Sequence, residues 1–439
     1  MKFFDREKEI ALIREIRDKS HTSARFTVIT GRRRIGKTQL IKHALADEPY
    51  LYFYVARKTE KDLCVGFQRQ IKDLLDIPMF GEIGQFEEIF RIVLEAAKKR
   101  PVTLVIDEFQ EFYRINPSVF SAMANLWDDA QKDVRINLIV CGSVNRLMNR
   151  IFRDDSEPLY GRNTGSIRVE PFRVSVLKEI MAFHCPDYTN ESLLALWTMT
   201  GGVARYVEQL MDDRAFTKDA MLRTVFRSGS PFLDEGLSVL VQEFGKDYGT
   251  YFSILSAIAA GKTEYSQIKN AVGEEVGAFL SKLEKNYALV RRRVPIFASG
   301  SSKSSNYAID DCFFRFWFRF VYGYQHLMEL QRYDEMLQIV EGDFETFSGL
   351  ALERYFHWKF VEETHYTRMD AWWDRKGENE IDLVCEDEIG NRLDFYEIKR
   401  DASRIALGRL EEKAAAFFCK NPQLRERKVS FRGLSLADM

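Results

Sequence analysis

The chain has 439 residues, more than one hydrophobic core ordinarily supports, so we expect two to four domains. Hydrophobic residues make up 46% of the chain and charged residues 30%, a balance that excludes an intrinsically disordered protein. The formal net charge of −2 excludes a uniformly basic nucleic-acid-binding protein, so any such contact must come from local basic patches.

The cysteines and the amino terminus indicate a cytoplasmic protein. The six cysteines are scattered without a CxxC pair, which argues against a zinc site or a disulfide framework. The opening sequence, MKFFDREKEI, lacks the apolar core of a signal peptide. The apolar aromatic stretch Phe313 to Tyr324 is interrupted by arginines and is too short to span a bilayer. We therefore expect a cytoplasmic location and no membrane partner.

Residues 1–172 begin with a helical pattern and then alternate short apolar runs with helical stretches. The apolar runs are 26–30, 50–55, 102–106, 136–141 and 167–169. Alternation of this kind predicts an α/β domain, in which a mostly parallel sheet is covered by helices on both faces.

Two further regions follow this first predicted domain. Residues 173–245 are helical with a break at Gly201-Gly202, and they predict a helical lid subdomain. Residues 246–335 read as three helices, a hairpin with its tip at 299–302, and a long aromatic helix near 312–330. The three helices and hairpin predict a winged helix-turn-helix.

Residues 336–439 change character again. Their pattern predicts a helix near 343–363, three short strands, a helix near 403–419 and a last strand near 427–431. We expect these elements to form a small, separate α/β domain.

A phosphate-binding motif lies in the first domain. Residues Gly31 to Thr38, GRRRIGKT, match GxxxxGKT and stand between a buried strand and a helix. Glycines let such a loop wrap around phosphates, whose oxygens meet backbone N–H groups and the positive end of the helix. Lys37 would reach the β- and γ-phosphates, and the Thr38 hydroxyl would bind Mg²⁺. The predicted nucleotide-binding residues are Gly31, Arg32, Arg33, Arg34, Ile35, Gly36, Lys37 and Thr38; an ordinary glycine-rich turn is the alternative.

A second motif supplies carboxylates. The apolar strand VTLVI ends in Asp107 and Glu108. Asp107 suits the hold on Mg²⁺, and Glu108 suits a base that orients the attacking water. A third strand ends in Gly142-Ser143, where Ser143, with Asn145 in reserve, is a candidate to sense the γ-phosphate. The sequence therefore predicts ATP and Mg²⁺ as cofactors of a P-loop NTPase fold that hydrolyses ATP.

These motifs together resemble a known family. FDREKE near the start, GRRRIGKT, LVIDEF, a strand ending in CGS, PLYGRNT and TGGVARY are similar to the archaeal-type ATPase family, within the AAA+-related, signal-transduction class of P-loop ATPases. The resemblance covers the chain and implies a winged helix and a nuclease-like C-terminal domain. It makes Arg162 a candidate for γ-phosphate contact, in cis or from a neighbouring subunit of a homo-oligomer; a salt-bridged surface arginine is the alternative. Ala204 stands where the family usually has proline.

The C-terminal region carries a candidate metal site. Asp382 lies on one predicted strand and Glu397 on the next, so both could point at one spot and hold a divalent metal. Lys399 faces the same side and could activate water, while Glu353 could add a ligand. The order of elements with E…D…ExK resembles the PD-(D/E)xK nuclease superfamily, which implies Mg²⁺ or Mn²⁺ as cofactor. A chance match in a highly charged chain, or a domain that binds nucleic acid without cutting it, is the alternative.

The predicted winged helix has its basic residues on the hairpin. Arg291, Arg292, Arg293 and Lys303 could grip phosphates without reading bases. The third helix begins with Glu274 and Glu275, a poor start for a helix that enters a DNA groove. The alternative is a module that packs against its neighbours or transmits motion.

These features support one preferred hypothesis, an ATP-hydrolysing switch coupled to a nucleic-acid-directed and nuclease-like effector. Movement of the lid would pass through the winged helix to the C-terminal domain. A regulatory scaffold with a catalytically inactive C-terminal binding module is the second hypothesis. A sequence-specific transcription factor is the third, and Glu274 and Glu275 argue against it.

Overall fold

The structure is a computed structural model that describes residues 2–143, 145–244, 248–298 and 304–439. Two compact units make up the chain: Asp5–Pro171, and Phe172–Met439 together with the residues up to Phe4. The division lies beside the predicted boundary after residue 172. The three regions predicted to follow that boundary all belong to the second unit.

The first unit is an α/β structure. Its strands are β1 Arg25–Thr30, β2 Leu51–Tyr54, β3 Val102–Asp107, β4 Ile136–Cys141 and β5 Gly165–Arg168. Its helices are α1 Glu7–Ser20, α2 Lys37–Ala44, α3 Glu60–Leu75, α4 Phe86–Lys99, α5 Phe112–Ile115, α6 Ser118–Ala130 and α7 Asn145–Arg153. The strands form one sheet in the order β2-β3-β4-β1-β5, and every neighbouring pair is parallel. The predicted parallel sheet is therefore confirmed.

Both faces of this sheet are buried, which explains its uninterrupted apolar strands. Alternate strand residues such as Phe26 and Leu104 join a core cluster with side chains from α3, α4 and α6. The intervening residues, such as Ile29 and Val105, are also buried. Because β4 lies between β1 and β3, the loop after β1 and the acidic end of β3 are about 10 Å apart across the sheet.

The second unit is mainly helical in its first half. Its helices are α8 Val174–His184, α9 Asn190–Thr200, α10 Ala204–Asp212, α11 Lys218–Val225, α12 Pro231–Phe244, α13 Tyr248–Ala259, α14 Tyr265–Val272, α15 Gly277–Lys285, α16 Cys312–Phe320, α17 Gln325–Glu329, α18 Tyr333–Glu363 and α19 Leu407–Lys420. Strands β6 Val290–Arg293 and β7 Asn306–Ile309 form an antiparallel hairpin. The predicted hairpin tip at 299–302, together with Lys303, lies outside the described residues.

A four-stranded sheet forms the C-terminal part of this unit. Its strands are β8 Arg368–Trp373, β9 Glu380–Asp387, β10 Arg392–Ile398 and β11 Lys428–Leu434, in the order β11-β10-β9-β8. β10 and β11 are parallel, and the other neighbours are antiparallel. Helix α19 covers one face through Leu410, Ala414 and Phe417, and the same core takes in Ile296 and Phe297 from beyond β6.

Two predicted helices differ from the structure. The aromatic helix expected near 312–330 is broken, because α16 ends at Phe320 and a single-turn segment, Tyr322–Tyr324, separates it from α17. That turn contains Gly323, and glycine is among the weakest helix formers. Helix α18 is longer than expected, with 31 residues starting at Tyr333. Within the described ranges, no helix is long and apolar enough to cross a bilayer.

The helices of 173–245 contact the C-terminal region directly. Glu362 of α18 accepts hydrogen bonds from the first backbone N–H groups of α8, at Val174 (2.9 Å) and Ser175 (3.2 Å). Arg400, just beyond β10, donates to Glu191 of α9 at 2.5 Å. The sequence predicted a route from the lid through the winged helix; these contacts form a second, direct connection, which a linear pattern does not show.

Candidate nucleotide site and carboxylate cavity

The loop between β1 and α2 has the backbone geometry that its glycines predict. Gly31 has φ +152°, Gly36 has φ +94°, and between them Arg34 adopts φ +69°. Helix α2 begins at Lys37, so its free N–H groups face the loop. Lys37 is only 7% exposed, and its Nζ donates to the carbonyl oxygens of Gly31 (2.9 Å) and Arg32 (3.0 Å). The loop therefore closes around a buried ammonium group.

Gly31→Ala should damage both stability and nucleotide binding. A Cβ at position 31 would lie 2.5 Å from the carbonyl oxygen of Val169, and the φ angle is unfavourable for alanine. We expect a loss of about 2 kcal/mol or more in the free energy of unfolding, together with weaker ATP retention. Thermal melting and filter binding of labelled ATP measure the two effects.

Gly66→Ala is the matched control, because Gly66 lies inside α3 and a Cβ there meets no atom within 4 Å. This change should raise stability by up to about 1 kcal/mol. Equal melting temperatures for Gly31→Ala and the unchanged chain would contradict the strain at Gly31.

Asp107 is the centre of the oxygen cluster beside the loop. Its side chain is buried, and its Oδ2 accepts hydrogen bonds from Thr38 Oγ1 (2.8 Å) and Tyr52 Oη (2.5 Å). Burial and the hydrogen bond to Asp107 raise the pKa of Tyr52 above its ordinary value. Thr38 and Asp107, both predicted to hold Mg²⁺, thus lie together, and hydroxyl and carboxylate oxygens fit that ion.

Glu108 is held by two further side chains. It adopts a left-handed backbone conformation at φ +55°, which is uncommon for glutamate. Ser143 Oγ donates to both of its carboxylate oxygens, at 3.0 and 3.2 Å, and Gln110 Nε2 also donates to it. Ser143 was predicted to sense the γ-phosphate; in the structure its hydroxyl contacts Glu108, the predicted general base. The side chain of Asn145 lies outside the described residues.

The sequence reasoning missed Tyr52 and Gln110. Tyr52 lies on β2, whose register with β3 pairs Tyr54 with Asp107. Gln110 follows Glu108 in a short helical turn, Phe109–Glu111. The available sequence signals were a tyrosine within a short apolar strand and a glutamine two residues after Glu108, and neither points to a nucleotide without the neighbouring strand.

Arg162 forms an ion pair with Asp128 of α6. Its Nε lies 3.0 Å from both carboxylate oxygens of Asp128 on α6, and its Nη2 donates to Asp128 Oδ2 at 2.6 Å. This is the contact that the surface-arginine alternative expects. The γ-phosphate role of Arg162 stays a prediction.

In the C-terminal sheet, lysines neutralise the predicted metal-binding carboxylates. Lys399 Nζ donates to Asp382 Oδ2 at 2.9 Å and lies 4.0 Å from Glu397 Oε1. Glu397 also accepts from the backbone N–H of Ala406 at 2.7 Å and lies 3.7 Å from Lys413 Nζ. Adjacent strands therefore bring Asp382, Glu397 and Lys399 together, but the ammonium groups take up the carboxylate charge.

Glu353 of α18 lines a cavity with Asp382. Burial and the neighbouring Asp382 carboxylate raise the pKa of Glu353 to about 8. Across the part of the chain that the structure describes, no three or more histidine, cysteine, aspartate or glutamate side chains are grouped to hold a metal ion. The arrangement thus differs from the predicted metal site of Glu353, Asp382 and Glu397.

The β6–β7 hairpin is docked on strand β8. Ile296 N–H donates to the carbonyl oxygen of Ala371 at 3.0 Å, and the guanidinium of Arg293 lies 5.5 Å from the ring centre of Trp373. Arg291 pairs with Asp370 of β8 at 3.4 Å. Two of the arginines predicted to grip phosphates thus contact the C-terminal sheet, as the packing alternative expects, and a grip on phosphates stays a prediction.

The parallel sheet, the closed loop around Lys37 and the oxygen cluster at Asp107 define the first unit as a P-loop ATPase domain. Residues 3–210 match the family described as an ATPase domain predominantly from Archaea. Residues 317–421 match a family described as archaeal and bacterial proteins of unknown function. The chain is 27% identical over 419 residues to an uncharacterised protein of Methanocaldococcus jannaschii, across 92% of this chain and 90% of that protein.

Two solved structures are similar in fold. The Walker-type ATPase of Pyrococcus abyssi aligns with a TM-score of 0.55 and 20% identity, across 72% of this chain and 96% of that chain. The Aeropyrum pernix ORC2 protein, solved as ADPNP–ADP complexes, aligns with a TM-score of 0.51 and 14% identity, across 78% of this chain and 96% of that chain. The match of residues 3–210 supports the predicted P-loop ATPase class for the first unit, and the two solved structures show the same fold.

Proposed function

We propose that the chain binds ATP with Mg²⁺ and hydrolyses it, and that its nucleotide state switches a nucleic-acid-directed C-terminal region. The observation that carries the ATPase part is the hydrogen bond between Thr38 and Asp107 at 2.8 Å, beside a loop closed on Lys37. A glycine-rich turn without a ligand has no need of a buried lysine and a buried aspartate at one spot.

Each residue of the site has a separate task in this proposal. The loop N–H groups and Lys37 bind the phosphate oxygens, and Thr38 with Asp107 would hold Mg²⁺. Bound Mg²⁺ would supply neutralisation of the charge that develops on the phosphates. Glu108 accepts the proton of the attacking water, and Ser143 keeps its carboxylate oriented.

The contacts of α8 and α9 support a direct route to the C-terminal region. Arg400 follows Lys399 in the chain, and its guanidinium joins Glu191 of α9 to Ser348 Oγ of α18 (2.7 Å). A shift of α9 would therefore act on the segment that carries Lys399. We include this ion pair in the proposed switch.

The test of the proposal is ATP turnover by the purified chain, measured with Mg²⁺, with EDTA, and with added single-stranded or duplex DNA. We expect turnover that requires Mg²⁺ and changes in the presence of DNA. If the rate of ATP turnover is the same with and without DNA, the proposed coupling is wrong and the ATPase proposal alone stands. Absence of both turnover and ATP retention would contradict the proposal as a whole.

Two versions of the C-terminal function follow from the sequence, a metal-dependent nuclease and an inactive binding module. The ion pair between Lys399 and Asp382, which neutralises a predicted metal ligand, favours the binding module. We therefore expect little plasmid cutting by the chain with Mn²⁺. If the chain does cut, Lys399→Ala should abolish the cutting; cutting that persists unchanged in Lys399→Ala would exclude this site as its source.

A further inference from the structure

A charged cavity lies between the β6–β7 hairpin, helix α18 and the C-terminal sheet. Its volume is about 100 Å³, enough for a few water molecules or one small polar group. The charged residues that line it are Arg291, Arg293, Asp310, Glu353, Arg354, Asp370 and Asp382. All belong to the same compact unit, although they come from segments far apart in the chain. The cavity is therefore formed by the tertiary fold and does not correspond to a local sequence motif.

Most of these charges neutralise one another. Arg354 Nη2 lies 3.0 Å from Asp310 Oδ1, and Arg291 Nη1 lies 3.4 Å from Asp370 Oδ2. Asp382 is paired with Lys399. These groups form the walls of the cavity and hold the hairpin against the sheet.

Arg293 is the exception among the lining cations. Within the described residues its side chain makes no hydrogen bond or ion pair; its guanidinium lies 5.5 Å from the ring centre of Trp373, and its charge also acts on Glu353 in the same cavity. Its Nε is shielded from solvent without an acceptor. A buried donor without an acceptor costs about 1–3 kcal/mol, so its persistence calls for an explanation. An anionic oxygen inside the cavity would provide the missing acceptor.

Trp358 lies at the same cavity with its side chain 46% exposed. It stands four residues after Arg354 on α18, which places the two on one face of the helix. An open aromatic face next to a cation is the combination that binds an unpaired base and its phosphate.

We propose that this cavity binds one phosphodiester group of an unpaired nucleic-acid strand, with Arg293 donating to a phosphate oxygen and Trp358 stacking on the adjoining base. A guanidinium group matches two phosphate oxygens at once, whereas a base stacked on tryptophan has to be free of its duplex partner. The inference deepens the nucleic-acid role proposed for the C-terminal region. It depends neither on strand cleavage nor on ATP hydrolysis.

The test is the binding of fluorescein-labelled oligonucleotides to the full chain, followed by anisotropy in EDTA at about 0.1 M salt, where surface charges are partly screened. The probes are single-stranded DNA, single-stranded RNA of the same sequence, and duplex DNA. The variants are Arg293→Ala, Arg293→Lys and Trp358→Ala. Arg432→Ala is the control for charge, because Arg432 is an exposed arginine on β11, at the opposite edge of the same sheet from β8.

We expect Arg293→Ala to weaken binding of the single strand about 10-fold. Arg293→Lys should weaken it less, because lysine keeps the positive charge but lacks the planar pair of donors that contacts two phosphate oxygens. Trp358→Ala should weaken single-strand binding about 10-fold and duplex binding less than about 2-fold. Arg432→Ala should change neither by more than about 2-fold. The DNA and RNA arms identify which strand is the better ligand.

Each other outcome overturns a defined part. Equal losses in Arg293→Ala and Arg432→Ala would show general electrostatic attraction and no site at the cavity. Equal losses of single-strand and duplex binding in Trp358→Ala would exclude the stacking. A chain that binds no oligonucleotide contradicts the nucleic-acid role itself. ATP turnover of the same samples reports on the P-loop separately.

Discussion

Lys37→Ala is expected to abolish retention of ATP by the chain. The Lys37 ammonium is buried and donates to the carbonyls of Gly31 and Arg32, so it closes the loop, and in the proposed function it supplies the positive charge that meets the phosphates. Each charge-assisted hydrogen bond contributes about 1.5–3 kcal/mol, so loss of the ammonium should weaken ATP binding at least about 100-fold. Equilibrium binding of labelled ATP with Mg²⁺ measures the change.

Lys98→Ala provides the control for this experiment. Lys98 lies on the surface of α4, where its Nζ pairs with Glu95 at 2.6 Å, and surface pairs of this kind contribute about 1 kcal/mol or less. ATP affinity should be unchanged in this variant. If Lys37→Ala retained ATP as well as Lys98→Ala does, the phosphate-binding role of the loop would have to be given up.

Glu108→Gln should separate hydrolysis from binding. Glutamine keeps the size of the side chain and can still contact Ser143 and Gln110, but it cannot take a proton from water. Loss of a general base typically lowers the rate by about 100- to 10,000-fold. We expect a fall of that order in kcat with ATP affinity within about 3-fold of the unchanged chain.

Ser143→Ala tests how Glu108 is oriented. Removal of the hydroxyl deletes one donor and leaves the carboxylate charge in place, so kcat should fall by about 10-fold while ATP binding persists. If Ser143 instead contacts the γ-phosphate, as the sequence predicts, this variant should weaken ATP binding as well.

For the Glu108→Gln variant, turnover at the full rate would show that another residue is the general base.

The nucleotide loop could be predicted because its chemistry is local. Gly31 to Thr38 are contiguous, and the strand and helix that flank them are encoded by equally local patterns. The meeting of Thr38 with Asp107 could be inferred because parallel strands end at one edge of a sheet. Tyr52 was missed because its contact depends on the lateral order of the strands, which a linear pattern does not encode.

The C-terminal region shows the limits of the same reasoning. The alternation of side chains on antiparallel strands was sufficient to predict that Asp382 and Lys399 lie close together. The alternation pattern could not show that lysine ammonium groups would form ion pairs with these carboxylates, because that depends on the side-chain rotamers. The docking of Arg293 on Trp373 joins segments 80 residues apart, and nothing in the arginine run itself distinguishes a docked hairpin from an exposed one.

The insertion of Ile296 and Phe297 into the core of the C-terminal sheet has a consequence for how this protein can be divided. Phe297 packs edge-on against Phe417 with ring centres 5.9 Å apart, and Ile296 is 7% exposed. A fragment cut at residue 336 would leave a hole where these side chains sit and would present bare apolar surface to water. A gene fusion that moves the C-terminal sheet into another protein would therefore also have to include the β6–β7 hairpin. The smallest transferable folding unit is larger than the sheet itself.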